Sequence, residues 1–294
     1  MLTVVIPSFY SSKLIEERIL EINREIPIII IENSKDLIFK NKIEKKYKNV
    51  QVIIPLENLG FGSAVNLGFR YSNTKMVFFM QPDLKLVDDC VNKLIECTKN
   101  FKDFSVLTPK DVGNKDFINY EIYKKYPSLK IKNKFFLEEV DYVDLSWLVN
   151  KDHFDHEDLW DENIFLYFEA VDFAKRLKDR NKKIFVAKDI NTFHIGSSSH
   201  DKRLDHYSIL NRNWHYNWSR FYFLKKHYGY FYAFRRIISV LIKLLTRLLK
   251  AIVFFKKKEK EYIMAELGGL TSSIINKPAF YRPYKDVNLN SQNE

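Results

Sequence analysis

The chain has 294 residues, with 48 Lys and Arg against 37 Asp and Glu and a net charge of +11. At 46% hydrophobic and 15% aromatic it carries too much apolar surface for a disordered chain, and its 8 glycines exclude a collagen-like one. Two cysteines, Cys90 and Cys97, cannot make a disulfide framework; on a helix they would sit roughly 10 Å apart, too far to bridge, so a reducing compartment fits.

The opening MLTVVIPSFY has no charged stretch ahead of its apolar run and reads as a first strand rather than a signal peptide. Strand-like runs follow in PIIIIE, VQVIIP, KMVFFM and FSVLTP, separated by charged, helix-like stretches near 12–24, 36–48, 62–72 and 88–101. This alternation predicts an open α/β fold with a mainly parallel sheet, whose ligands belong at the carboxyl ends of the strands. Residues 111–140 are Lys- and Tyr-rich and weakly patterned. VDLSWLV, a helix near 169–180 and KKIFVAK come next. From about residue 205 aromatics mix with basic residues. Residues 200–260 hold 15 basic and 3 acidic side chains, a local excess of +12, while residues 1–199 hold 30 of each. Phe231, Phe234, Ile238, Leu241, Leu245, Leu248, Ile252 and Phe255 recur at helical spacing, with Arg235, Arg236, Lys243, Arg247 and Lys250 on the other side. No run approaches the roughly 18–20 uncharged apolar residues of a bilayer span. The pattern predicts a helix in the interface of an anionic membrane surface; a core helix with a solvated basic face is the competing reading. Base stacking on nucleic acid would leave the apolar periodicity unused.

Five segments carry polar groups at strand ends. Ser8 follows the first strand with Pro7, and Glu32-Asn33-Ser34 the second; short hydrogen-bonding side chains there suit a nucleotide, though they also serve as turn formers and caps. The segment from Glu57 to Gly68, containing Asn58, Gly60, Gly62 and Asn66, joins the third strand to a helix whose N-terminus would favour an anion. Asp83, directly after the apolar strand KMVFFM, is placed to hold a divalent cation against a diphosphate, or to cap a helix. Glu169 and Asp172 share a face of a helix's first turn, where a carboxylate among aromatics can act as general base or simply answer the helix dipole. His194, in HIGSSS, offers a nitrogen to metal or phosphate.

In this order, VVIPSF, IENS, ENLGFGSAVNLGF, QPD, WDENIFLYFEAVDFAKRL and HIGSSS resemble glycosyltransferase family 2, in particular its bacterial rhamnosyltransferase-like branch. The resemblance implies a GT-A fold, Rossmann-like, over residues 1–204, with a donor half of about 1–110 and an acceptor half of about 111–204. A membrane-associating helical region over 205–294 would follow. It implies inverting transfer of a sugar, rhamnose being one option, from a dTDP- or UDP-sugar donor to a saccharide acceptor, with a lipid-linked saccharide the expected one. The setting would be cell-surface polysaccharide synthesis on the cytoplasmic face of the inner membrane, without nucleic acid. By the same resemblance Pro7, Ser8, Glu32, Asn33, Asn58, Gly62 and Asn66 bind the donor. Asp83 binds Mg²⁺ or Mn²⁺, with His194 as a second metal or pyrophosphate ligand. Trp160, Asp161 and Glu162 lie on the acceptor side. The family commonly has Glu-Asp-x-Asp where this chain has Glu169-Ala170-Val171-Asp172, so the base falls to Glu169 first and Asp172 second. A sugar-nucleotide nucleotidyltransferase would show a Gly-rich basic loop after the first strand, and SFYSSK has no Gly. A non-catalytic sugar-nucleotide or membrane-binding relative of the transferase fold is the reading that Ala170 keeps open.

Overall fold

The computed structural model describes residues 2–113, 118–123, 128–131, 134–155, 159–196 and 204–283. These form two compact units, residues 1–161 with 170–200, and residues 162–169 with 201–294.

The first unit is built on a mixed sheet. Its strands are β1 (Leu2–Ser8), β2 (Ile28–Glu32), β3 (Val50–Ile53), β4 (Met76–Met80), β5 (Leu84–Leu86), β6 (Val106–Asp111), β8 (Ser128–Ile131), β9 (Phe135–Glu139), β11 (Ser146–Asn150) and β12 (Ile184–His194). Two short strands, β7 (Tyr120–Glu121) and β10 (Tyr142–Val143), pair apart from it. The order across the sheet is β3-β2-β1-β4-β11-β6-β12-β9-β8, with β5 added against β12. Strands β1 to β4 run parallel to one another where they pair, and so do β6 and β12; β11 runs antiparallel between β4 and β6. The helices α1 (Ser12–Leu20), α2 (Leu37–Lys46), α3 (Gly62–Tyr71), α4 (Cys90–Asn100) and α5 (Glu169–Asp179) are the crossovers and covers that parallel pairing requires.

Period-two alternation distributes the apolar runs between two cores. Val4, Ile6, Ile28, Ile30, Phe78 and Met80 face one side, and Val5, Ile29, Ile31, Val77 and Phe79 the other. A strand buried on both faces needs no polar alternation, which is why PIIIIE and KMVFFM read as unbroken apolar runs. The weakly patterned stretch 111–140 supplies β8 and β9, the antiparallel pair at the sheet's edge. Cys90 and Cys97 are buried and free, and burial pushes both thiols up to about 12, so neither is a thiolate nucleophile.

The second unit consists of α6 (Asp205–Tyr228), α7 (Tyr230–Val253), α8 (Lys257–Ile274) and the segment 162–169. Gly229, at φ 88°, separates α6 from α7. At Gly269 a Cβ would lie 2.0 Å from the Trp214 carbonyl oxygen, so only glycine lets α8 pack this closely on α6. On α7 the wide apolar face expected from sequence divides in two. Ala233, Ile237, Leu244 and Ala251 are buried, and Leu241 and Leu248 pack partly against them. Phe231, Phe234, Ile238, Ile242, Leu245, Leu249 and Ile252 form a separate exposed stripe. Leu241 and Leu248, expected on the same side as Phe231, Phe234, Ile238, Leu245 and Ile252, lie at the boundary of the stripe and turn toward the packed residues. No helix among the described residues is long and apolar enough to cross a membrane.

Candidate active site

The carboxyl ends of β2, β1 and β4 lie side by side in the first unit and gather most of the polar groups singled out above. Ser8, at the end of β1, donates its hydroxyl to one carboxylate oxygen of Glu32, at the end of β2. The other Glu32 oxygen accepts from the Ser34 backbone N–H at 2.8 Å and from the Ser34 hydroxyl. Glu32 is fully buried, and Ser8 and Asn33 nearly so. A buried polar group is tolerated where hydrogen-bond partners satisfy it. Burial, then the Glu32 charge, raises the Tyr10 phenol above its ordinary range. Asn33 bridges to the β3–α3 loop: its amide donates to Gly60 O at 3.3 Å, and its Oδ1 accepts from Leu59 N–H at 3.1 Å. Asn58 Oδ1 accepts from Gly60 N–H at 2.9 Å and so shapes the loop itself. Pro7 lies within β1, in register with Ile31.

Gly62 and Asn66, on α3, serve a different contact. A Cβ at Gly62 would lie 3.1 Å from Trp160 Cβ, and the Asn66 amide makes a reciprocal pair with the Trp160 main chain at 2.8 and 3.1 Å. Trp160 is buried, stacked on Phe173 with ring centroids 3.8 Å apart. It thereby fixes the chain just before Asp161, which is half-buried, and Glu162, which is exposed.

Asp83 follows β4 and is almost fully buried; its Oδ2 lies 3.3 Å from His194 Nε2. These residues are 111 apart in sequence, and the antiparallel β5–β12 pairing that sets Leu84 opposite His194 brings them together. Backbone bonds continue the clamp, with Ile195 N–H donating to Asp83 O at 3.0 Å. The hydrogen bond to Asp83 raises the His194 imidazole above its usual value against the opposing effect of burial, and the charges of Asp83, Asp111 and Asp144 add to it. Asp111 was not anticipated. Its Oδ1 accepts from His194 backbone N–H at 2.7 Å, while its buried Oδ2 has no partner among the described residues. A carboxylate at the end of a strand, close to the signal that singled out Asp83, is present there too.

Asp83 and His194 offer one oxygen and one nitrogen donor. Among the described residues no group of three or more His, Cys, Asp or Glu is arranged to hold a metal. Two protein donors suit a cation that keeps water and takes its other ligands from phosphate oxygens, the habit of Mg²⁺. Ser197–Ser199 of HIGSSS lie outside the described residues.

Glu169, the first residue of α5, is half-buried and follows two aromatic residues with positive φ, Tyr167 at 63° and Phe168 at 66°. Bulky side chains in that region are strained. In the helical unit the strained turn is held by Ser219, whose hydroxyl donates to Leu166 O at 2.8 Å, and by Phe168 packing on Tyr216 and Phe223. Asp172 is fully buried and ion-paired, its Oδ2 2.8 Å from Arg176 Nε. Arg176 in turn donates to Leu159 O at 2.6 Å.

The family model described as "Glycosyl transferase family 2" matches residues 3–157. Among curated proteins there is no sequence match. The fold is similar to the mannosyltransferase PcManGT of Pyrobaculum calidifontis, solved with GDP-Man and Mn²⁺. The TM-score is 0.55 at 11% identity, over 94% of this chain and 87% of that one. It is also similar to GalNAc-T7, solved with UDP, GalNAc and Mn²⁺, with a TM-score of 0.52 at 13% identity over 72% of this chain and 50% of that one. The third similar structure is TarS of S. aureus, with a TM-score of 0.50 at 15% identity over 78% and 44% of the two chains. Since the family model spans more than half of the chain, the chain belongs to glycosyl transferase family 2.

Proposed function

We propose that the protein is an inverting transferase that moves a sugar, rhamnose being one option, from a dTDP- or UDP-linked donor to a saccharide hydroxyl. The acceptor is lipid-linked, and the product contributes to cell-surface polysaccharide at the cytoplasmic face of the inner membrane. The observation that carries the chemistry is the Asp83–His194 pair at the end of β4, beside the buried Ser8–Glu32–Asn33 cluster. Asp83 and His194 would hold Mg²⁺ or Mn²⁺, as GT-A neighbours solved with Mn²⁺ support. When bound, the cation offsets the charge that develops on the departing diphosphate.

Glu169 takes the proton from the acceptor hydroxyl as the new bond to the anomeric carbon forms and the bond to the diphosphate breaks. One displacement inverts the centre, so no covalent nucleophile is required. Asp172, buried against Arg176, is assigned to holding the Leu159–Trp160 chain, which leaves Glu169 as the base. The exposed apolar stripe of α7, flanked by Arg235, Arg236, Lys243 and Lys250, supports placement at an anionic membrane surface.

The test is a donor screen that reads nucleotide release with Mn²⁺ or Mg²⁺. Asp83→Ala is expected to abolish release. Glu169→Gln is expected to retain donor binding and lose about 10²–10⁴-fold in turnover. A Glu169→Gln protein with the wild-type rate removes Glu169 from the role of base.

A further inference from the structure

A groove of about 540 Å³ lies between α6 and α8, entirely within the helical unit and outside the residues assigned to transfer. Its floor is apolar: Trp214 and Tyr281 stack at 5.6 Å with 20° between their planes, and Met264 and Leu210 extend the surface. Gly268 keeps the floor open, since a Cβ there would lie 3.3 Å from the Trp214 indole nitrogen. At one end stand Lys257 and Lys260, both exposed.

The charges at that end are not balanced. Among the described residues no carboxylate pairs with Lys257 or Lys260; Glu259 pairs with Lys256 at 3.5 Å and Glu266 with Arg247 at 3.2 Å, and Glu261, the one carboxylate in the groove's lining, turns to His206 Nε2 at 3.4 Å. Lys257 is also the first residue of the 18-residue helix α8, whose N-terminal amides and dipole favour an anion. Directly before α8 stand Phe254 and Phe255, 67% and 92% exposed, at the end of the apolar stripe of α7.

A ligand matching this surface has a phosphate at one end and a long apolar chain behind it. The lining is aromatic and aliphatic and holds no Asn, Gln, Ser or Thr, the amide and small hydroxyl side chains that read a nucleoside. We propose that the groove binds a lipid phosphate, its head held by Lys257 and Lys260 and its chain laid along Met264 and Trp214. This deepens the lipid-linked acceptor of the proposed function by giving that lipid a seat. It does not depend on the transfer chemistry.

The experiment is calorimetric titration of the full-length protein with decyl phosphate below its micellar concentration, beside inorganic phosphate and decyl maltoside. Decyl phosphate is expected to bind at least about tenfold more tightly than either control, because only it satisfies both ends. The paired substitution Lys257→Ala and Lys260→Ala is expected to weaken it at least about tenfold, and Met264→Asp likewise. Leu249→Asp, on the outer stripe of α7, should leave this soluble ligand's affinity unchanged. Asp83→Ala should also bind it normally, so failure of the donor screen and failure of this site are told apart. Equal binding of inorganic phosphate, equal binding of decyl maltoside, or unchanged affinity in the double lysine variant would each overturn the proposal. So would a concentration-dependent dimer that excludes decyl phosphate, because a second copy of the chain would then be the occupant.

Discussion

The place of Asp83 was legible because a carboxylate follows a wholly apolar strand; its near-complete burial was not. His194 could be suspected only from its Gly-Ser neighbourhood; its partner is fixed by strand pairing across 111 residues, which no local pattern encodes. Asn66 shows the opposite case. Its position near a Gly-rich turn suggested the nucleotide, yet its amide is taken up by the Trp160 main chain, 94 residues away. Asp111 repeats the strand-end signal of Asp83, but Pro109 and Lys110 break the apolar run ahead of it. Its role is testable. Asp111→Ala removes the acceptor of the His194 backbone N–H and should cost about 1–3 kcal/mol in stability, together with weaker activation by Mn²⁺. Asp111→Asn, which keeps an acceptor oxygen, should restore both in denaturant and metal titrations.

Helix α7 illustrates what periodicity does and does not supply. Spacings of three and four marked a helix with apolar and basic sides, and Tyr230–Val253 is one. Spacing alone could not divide a wide apolar side between a packed half and an open half, because that division depends on where α6 and α8 lie. The same helical unit buries a titratable group. His215 on α6 is fully buried, its Nε2 bonded to Tyr281 O at 2.8 Å; burial lowers its pKa to about 3, with the Arg282 charge acting in the same direction. The unfolded chain binds a proton at this residue between its ordinary value near 6.5 and about 3, and the folded chain does not, so stability rises with pH across that window. Acidification from about pH 6 to about pH 4 should therefore destabilise the unit by up to about 1.4 kcal/mol per pH unit from this residue alone. His215→Gln, which keeps a donor without the titration, should flatten that slope in urea unfolding followed by tryptophan fluorescence.

At the scale of the whole chain, the charge excess of residues 200–260 falls on the helical unit, while the near-balanced residues 1–199 belong to the sheet unit except for residues 162–169. Removing residues 231–258 is not a clean test of membrane association, because Ala233, Ile237, Leu244 and Ala251 belong to that unit's core. Point changes on the open stripe are. Ile242→Asp and Leu249→Asp, at residues 56% and 63% exposed, should each reduce flotation with anionic liposomes about tenfold while leaving unfolding midpoints unchanged. Raised ionic strength should weaken wild-type flotation through the basic flank. Liposome binding unaffected by either substitution would assign the stripe to something other than lipid.

The sheet order carries a consequence for synthesis. Strand β4 receives its second neighbour only when β11 has been made, and β6 pairs with nothing that precedes it in the chain. Residues 1–110 on their own would present an apolar, unpaired edge at β4 and leave β6 without a partner. Such edges recruit other chains. His194 stands at the end of the last strand to enter the sheet, so a growing chain cannot form the Asp83–His194 pair until almost all of the sheet unit has emerged. A fragment ending after β6 should therefore aggregate rather than bind donor, and folding of this enzyme is expected to be slow and late, governed by its most distant pairings.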